Sequence, residues 1–274
     1  MNLNFQRFVG IDWSGAEKDY RKKIAVAVCG NGDEDPELRD REGWTRTQVF
    51  EKILGEFATN TLIGIDFAFS YPHVDLGAYF PGDTRSPESP QALWALIDQG
   101  VHSGKDFYGR RFAHGWAKEY YQLSEEMTGS KYEERFRVTD RMCHKRGAPA
   151  QSVFKLWGPG HVGTGTLAGM RVLHKLQVEY ADRIAIWPFD EFQDKQTVIV
   201  EIYPRLFWET KHVPRPPSAI QGCALSPDEK AAWISATALR QFHKRPELWQ
   251  PPMTKEVLSQ EGWIFGSHCL GVSA

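Results

Sequence analysis

No stretch of this chain approaches the ~18 to 20 uninterrupted apolar residues that a membrane span requires. The apolar run near its start, within MNLNFQRFVGIDWSGAEKD, is too short for the core of a secretion signal. Cysteine is scarce. Cys29, Cys143, Cys223 and Cys269 lie far apart, with no C-x-x-C spacing to hold zinc and no dense disulfide framework. These absences point to reduced thiols in a soluble, cytoplasmic protein with no membrane partner. An excess of one charge is missing too. Lys plus Arg number 33 against 35 Asp plus Glu, so any nucleic-acid contact must come from a local patch and not from the surface as a whole. Fixed-period repeats and low-complexity segments are also absent.

What remains is globular material. Apolar residues make up 41% and aromatic residues 13% of 274 positions, ample for a buried core, and we read 1–274 as a single domain. Phe8 to Trp13 and Lys23 to Cys29 read as buried strands joined by a polar turn, an antiparallel start. The polar stretch 30–43 reads as loop. Val49, Phe50, Ile53, Leu54 and Phe57 recur at helical spacing, and Thr61 to Ala68 forms the next buried strand. Pro72, Pro81, Pro87 and Pro90 then punctuate a turn-rich segment. Ser89-Pro90 has the N-cap and first-turn arrangement of a helix start, and a second helix is expected over Ala113 to Met127. Residues 72–150 therefore read as a helical insertion. Ser152 to Trp157 is expected as a strand, followed by a helix around Thr166 to Tyr180 and strands at Ile184 to Trp187 and Thr197 to Tyr203. Ser226 to Phe242 opens with a capping box, Ser226-Pro227-Asp228-Glu229. The order is that of an α/β domain with a mixed β-sheet flanked by helices.

Two of these strands end alike, VGIDWSG at Asp12 and IGIDFAF at Asp66. Glu201 interrupts a third, TVIVEIYP. A carboxylate on a buried strand costs several kcal/mol unless something compensates it. If the strands are neighbours the acids converge, and at ~4 Å with an effective dielectric near 20 each like-charged pair costs about 4 kcal/mol. Protonation, a basic partner or a hard divalent cation can neutralise them, and Mg²⁺ or Mn²⁺ suits an open set of carboxylate oxygens. A metal held there activates water and stabilises the leaving oxygen of a phosphodiester. The plainer alternative is that each acid caps a loop or pairs with an arginine.

The ordered set VGIDWSGA, IGIDFAFSYP, SVFKLWGPGHVGTGTLAGM, IWPFD, VEIYP and EGWIFG resembles the family known as domain of unknown function 429, a group of predicted nucleases with an RNase H-like fold. The resemblance spans nearly the whole chain. It implies an RNase H-like mixed β-sheet with the helical insertion after the fourth strand. It also implies divalent metal held by an acid from the first strand, here Asp12, and one from the fourth, here Asp66. Glu201 is the acid of the family's V-E-x-Y-P strand. A further acid is expected near the start of the last helix, where this chain has Ala231 before Ala232. Asp228 lies one turn earlier on the same face, about 4.5 Å back along the axis, and either substitutes as a ligand or serves only the capping box.

Other motifs stand beside this one. Gly158 to Gly165 contains G-x-G-x-x-G, with Asp190 after the next strand, the outline of a dinucleotide site. Lys155 in the preceding strand and Pro159 in the turn speak for a tight loop whose helix N-terminus meets an anion. Within the insertion, Phe107, Tyr108, Arg110, Arg111, Phe112, Trp116, Tyr120 and Tyr121 interleave aromatics with cations, ahead of a basic stretch holding Arg135, Arg137, Arg141, His144, Lys145 and Arg146. Such a surface stacks bases and neutralises phosphates, whereas a subdomain core with a charged face is the plainer reading.

The leading expectation is a divalent-metal-dependent phosphodiester hydrolase acting on nucleic acid. Asp12, Asp66 and Glu201 are its catalytic carboxylates, and these three with Asp228 are its candidate Mg²⁺ or Mn²⁺ ligands. Ser14, His161, Arg141, Lys145 and Arg146 are its candidate substrate contacts. The alternatives are a catalytically degenerate RNase H-like scaffold, motivated by Ala231, and an actin-like ATP-dependent phosphotransferase, motivated by V-G-I-D-x-S-G.

Overall fold

The computed structural model describes residues 3–18, 20–32, 34–101, 105–192, 196–208 and 213–269. Runs of β-branched and small apolar residues form the strands β1 (Arg7–Asp12), β2 (Ala25–Gly30), β3 (Glu37–Arg39), β4 (Thr61–Asp66), β5 (Ile184–Ile186) and β6 (Thr197–Glu201). They make one mixed sheet in the order β3-β2-β1-β4-β6-β5. β2 runs antiparallel to both β1 and β3, whereas β4 pairs parallel with β1 and β6, and β5 parallel with β6. The helices are α1 (Arg46–Leu54), α2 (Pro90–Gln99), α3 (Val138–Lys145), α4 (Gly163–Tyr180), α5 (Pro227–Phe242) and α6 (Lys255–Glu261).

Alternation along the strands divides the interior into two cores. Val9, Ile11, Ile63, Ile65 and Ile199 pack with Leu167 and Leu173 of α4 and with Trp94, Phe112 and Tyr121 of the insertion. Phe8, Leu62, Val198 and Val200 face the other way, against Trp233 and Leu239 of α5. α5 lies directly on β1 because Gly10 has no side chain. A Cβ there would stand 2.1 Å from the Ala232 carbonyl oxygen.

The structure departs from the sequence-based expectation in several places, α6 among them, since no element was expected after Phe242. β3 falls inside the stretch read as loop, since three residues at a sheet edge carry no periodic signal. The helix expected over Ala113 to Met127 is instead two 3-10 turns, Arg110–His114 and Trp116–Tyr120, broken at Gly115. After them Gln122 bridges both Thr128 and Lys155. The Ser152 to Trp157 segment is a turn with that single bridge, not a strand. Finally, α3 occupies part of the basic stretch, where no helix was anticipated. The insertion has no separate core. Its aromatics complete the face of the sheet that α4 covers. Among the described residues, no helix is long and apolar enough to cross a membrane.

Candidate active site

The site lies where β1, β4 and β6 end. Asp12 and Asp66 are direct register partners on adjacent parallel strands, so both side chains leave the sheet on one face, the face of Gly10 and α5. Glu201 ends β6 level with Ile65 and not with Asp66. It therefore leaves on the opposite face, that of Ile65 and Ile199.

This offset of one residue decides what Glu201 does. Its Oε1 accepts a hydrogen bond from Arg137 Nη2 at 2.6 Å, and its Oε2 accepts from Arg137 Nη1 at 2.7 Å and from the Phe69 amide at 2.9 Å. Arg137, 1% exposed, donates its remaining bonds mainly to Asp140, at 2.9 Å for the closest pair. Burial opposes the Arg137 charge, but Asp140 and Glu201 outweigh it and hold the guanidinium firmly protonated. Glu201, expected to ligate a metal or orient water, thus has its oxygens occupied by arginine and a backbone amide, and it lines the same cavity as Asp12 and Asp66 together with Arg137. In the sequence Arg137 is only one member of a basic stretch, with nothing local to mark it as the partner of Glu201.

Asp12 and Asp66 have no such compensation. No hydrogen bond from the described residues reaches either carboxylate. Burial raises the Asp12 carboxyl well above the usual range, and repulsion from Asp66 and then Asp228 adds to it. Burial likewise pushes Asp66 up to about 7, with Glu201 adding repulsion. Asp228, in the first turn of α5, is raised by burial and pulled back by Lys23. The capping box does not use it. Ser226 Oγ accepts from the Glu229 amide at 3.1 Å and Glu229 Oε2 accepts from the Ser226 amide at 2.8 Å, so Glu229 does the capping and Asp228 is left facing the site.

These three carboxylates line a cavity of about 430 Å³, a volume within the range of small-ligand sites. The exposed side chains of Lys23 and Arg205 contribute cations to its wall. Sequence reading missed both, although the antiparallel β1–β2 pairing carried the signal for one: Asp12 pairs with Ala25, which puts Lys23 beside the end of β1. Buried Arg46 fixes the loop after β1, its Nε donating to the Ser14 carbonyl at 2.8 Å. Trp13 Nε1 donates to the Gly165 carbonyl at 3.1 Å, tying the same loop to α4.

Of the expected substrate contacts, Ser14 and His161 line the cavity, whereas Arg141, Lys145 and Arg146 do not. Arg141 Nη2 donates to the Phe136 carbonyl at 2.6 Å, and Arg146 Nη2 donates to that of His268. The helical turns of α3 direct these groups away. Of the aromatic stretch, Phe112, Tyr120 and Tyr121 are buried, the rings of Phe112 and Tyr120 packing against Phe80, while Phe107, Tyr108 and Trp116 are half-buried. The glycine motif follows a turn and not a strand. Asp190 Oδ2 accepts from the Ile186 amide at 2.8 Å and closes the turn after β5, so the dinucleotide outline lapses.

Among the described residues, no three His, Cys, Asp or Glu side chains close on one point as an all-protein metal cage requires. The Asp12–Asp66 pair is the smaller set that a hard cation accepts. Mg²⁺ is commonly held by one or two carboxylates, with water and substrate phosphate filling the other positions. Two half-buried, like-charged carboxylates without a hydrogen-bond donor among the described residues fit that role, and Asp228 adds negative potential on the same side. No family model matches the chain, and no curated protein or solved structure matches it either.

Proposed function

We propose that this chain is a divalent-metal-dependent phosphodiester hydrolase acting on nucleic acid, with an RNase H-like sheet. One observation carries the reading: Asp12 and Asp66, in register at the ends of β1 and β4, face a solvent-reaching cavity with no hydrogen-bond or ion-pair partner among the described residues. Asp228 in the first turn of α5 adds support. Acids from the first strand, the fourth strand and the start of a late helix are what the resemblance implies.

Asp12 and Asp66 would hold Mg²⁺ or Mn²⁺. Bound there, the ion supplies Lewis-acid polarisation of a phosphoryl oxygen and of a water molecule. Lys23 and Arg205 attract the phosphate oxygens from the cavity wall. Arg137 acts at one remove: by gripping Glu201 it locks the end of β6, and it anchors α3 through Asp140. The scaffold reading rests on Ala231, and Asp228 weakens it, because Asp228 and not Ala231 lines the cavity. For the actin-like reading the described residues offer one six-stranded sheet and a two-stranded ribbon, without the second large sheet that a duplicated domain needs.

The test is cleavage of fluorogenic single-stranded DNA and RNA by the purified protein with Mn²⁺ or Mg²⁺, alongside the Asp12→Asn variant. Loss of cleavage in the variant and with chelator is the expected outcome. Cleavage that survives either one removes the carboxylate pair from the reaction. Calorimetric titration with Mn²⁺ that detects no site favours the scaffold.

A further inference from the structure

We propose that one wall of the cavity is a stacking surface for unpaired bases, with Trp157 and Trp208 at its two ends, so that the site takes single-stranded nucleic acid and not duplex. This rests on the hydrolase reading and names the form of nucleic acid that the site accepts.

The chain has ten tryptophans. Only Trp157 and Trp208 are exposed, each at 40%, and the others are buried or half-buried. Neither exposed indole has a ring neighbour or a hydrogen-bond partner among the described residues. Single exposed apolar side chains are common on any protein, but these two coincide with the site. Trp157 precedes Gly160 by three residues and Trp208 follows Arg205 by three, and both Gly160 and Arg205 line the cavity. Three residues of chain span at most about 10 Å.

Local structure turns both rings outward. In the 3-10 turn Pro204–Leu206, Leu206 and the Phe207 that follows it are buried. Phe207 stacks on Phe242 of α5 with ring centres 6.1 Å apart, which sinks one side of the turn into the core and leaves Arg205 and Trp208 on its exposed side. On the other loop, Phe154 and Leu156 are buried, and the Leu156 amide donates to the Gln122 carbonyl at 2.9 Å, so the chain is fixed where Trp157 leaves it. Gly158 and Gly160, at φ of 85° and 70°, take left-handed conformations that favour glycine and turn the chain back toward the cavity. Side chains presented from such fixed supports lose little freedom on binding.

A continuous wall joins the two loops. Tyr203 Oη donates to the Pro149 carbonyl at 3.0 Å, and a Cβ on Gly160 would lie 3.3 Å from Gln151 Cγ. Arg205, Tyr203, residues 149–151 and Gly160 therefore follow one another, all lining the cavity. Aromatic faces stack readily on bases that are splayed out of a helix, as in single strands. The cations agree. Lys23 and Arg205 line the cavity, and Arg137, which also lines it, is held by Asp140 and Glu201. A surface neutralising about 6–10 phosphates, as tight duplex binding often involves, has no counterpart among the described residues of this cavity.

The experiment follows, by fluorescence anisotropy, labelled oligothymidylate and oligouridylate of about eight nucleotides, within ordinary single-strand site sizes, and a blunt duplex of the same length. The protein is the full chain carrying Asp12→Asn with Mg²⁺ present, so that binding is read apart from cleavage. At least one of the single strands should bind more tightly than the duplex, with a slope of log affinity against log salt of about −1.4, the value for two phosphate contacts. Trp157→Ala and Trp208→Ala on this background should each weaken single-strand binding about 5- to 100-fold. Trp157→Phe and Trp208→Phe should restore most of it, and all four variants should melt with the parent. Duplex bound as tightly as either single strand, or single-strand binding undiminished in both alanine variants, overturns the wall. Cleavage of duplex alone by the unmodified protein overturns it too and leaves the hydrolase reading standing. Should single strands bind through both tryptophans while the unmodified protein cleaves neither form, the wall stands and the hydrolase reading falls.

Discussion

Replacing Asp66 with Asn should make the metal-free protein more stable at alkaline pH, although the proposed reaction needs its carboxylate. Burial raises its carboxyl from 3.8 to about 7 in the folded state. A carboxyl raised on folding stabilises fully below its unfolded value, and that contribution is lost as pH rises through the folded value. The wild type should therefore lose stability between about pH 4 and about pH 7, with Asp12 shifted in the same direction. Each pH unit between 3.8 and about 7 corresponds to ~1.4 kcal/mol, a ceiling of about 4 kcal/mol. Asp66 is only half-buried and reaches solvent through the cavity, so screening brings the expectation to about 2 kcal/mol. Asn is uncharged and nearly isosteric, so the variant escapes this loss. Thermal melts with chelator at about pH 8.5 should place Asp66→Asn roughly 4–8 °C above wild type, and melts at about pH 4 should show little difference. Adding Mn²⁺ at about 100 times its dissociation constant should then stabilise wild type by about 2.7 kcal/mol, and the variant far less. A variant no more stable than wild type at alkaline pH refutes the electrostatic argument. An equal response to Mn²⁺ refutes the ligand assignment.

Other perturbations separate structural from chemical roles. Arg137→Met leaves Glu201 and Asp140 buried without their cation and should cost about 3–5 kcal/mol in urea unfolding; a cost below about 1 kcal/mol would mean that the ion triad does not hold β6 to α3. Gly10→Ala forces a methyl group against the Ala232 carbonyl and should destabilise by about 3 kcal/mol or more, or prevent folding, as circular dichroism melts would reveal. Arg141→Ala combined with Lys145→Ala should leave metal-dependent cleavage within about twofold of wild type, the range of ordinary surface substitutions. A large loss there would restore the basic stretch to the substrate path. Lys23→Ala should raise KM more than it lowers kcat if its charge serves to attract phosphate, and an unchanged KM would count against that placement.

Much of the architecture was legible in the chain itself. Buried strands announce themselves as short apolar runs, and α5 was readable because its Ser226–Glu229 capping box and Pro227 act locally. Asp12 and Asp66 stood out for the same kind of reason: a charge at the end of an apolar run is an anomaly visible without coordinates. Glu201 looked equivalent, being an acid on a central strand. Only the sheet register distinguished it, since pairing with Ile65 and not Asp66 turned it to the other face, where Arg137 from a distant segment neutralises it. Arg141, Lys145 and Arg146 lost their place at the cavity in the same way, because the direction of α3 is a property of packing and not of composition. Lys23 and Arg205 entered the cavity from two separate elements, and no local pattern couples them. Apolar periodicity and capping are local, so the chain alone determined where the strands and the best-capped helices lie and which acids are out of place. Pairing partners and side-chain facing depend on contacts between distant residues, so the tertiary structure alone decided which of those acids are left without a counter-charge.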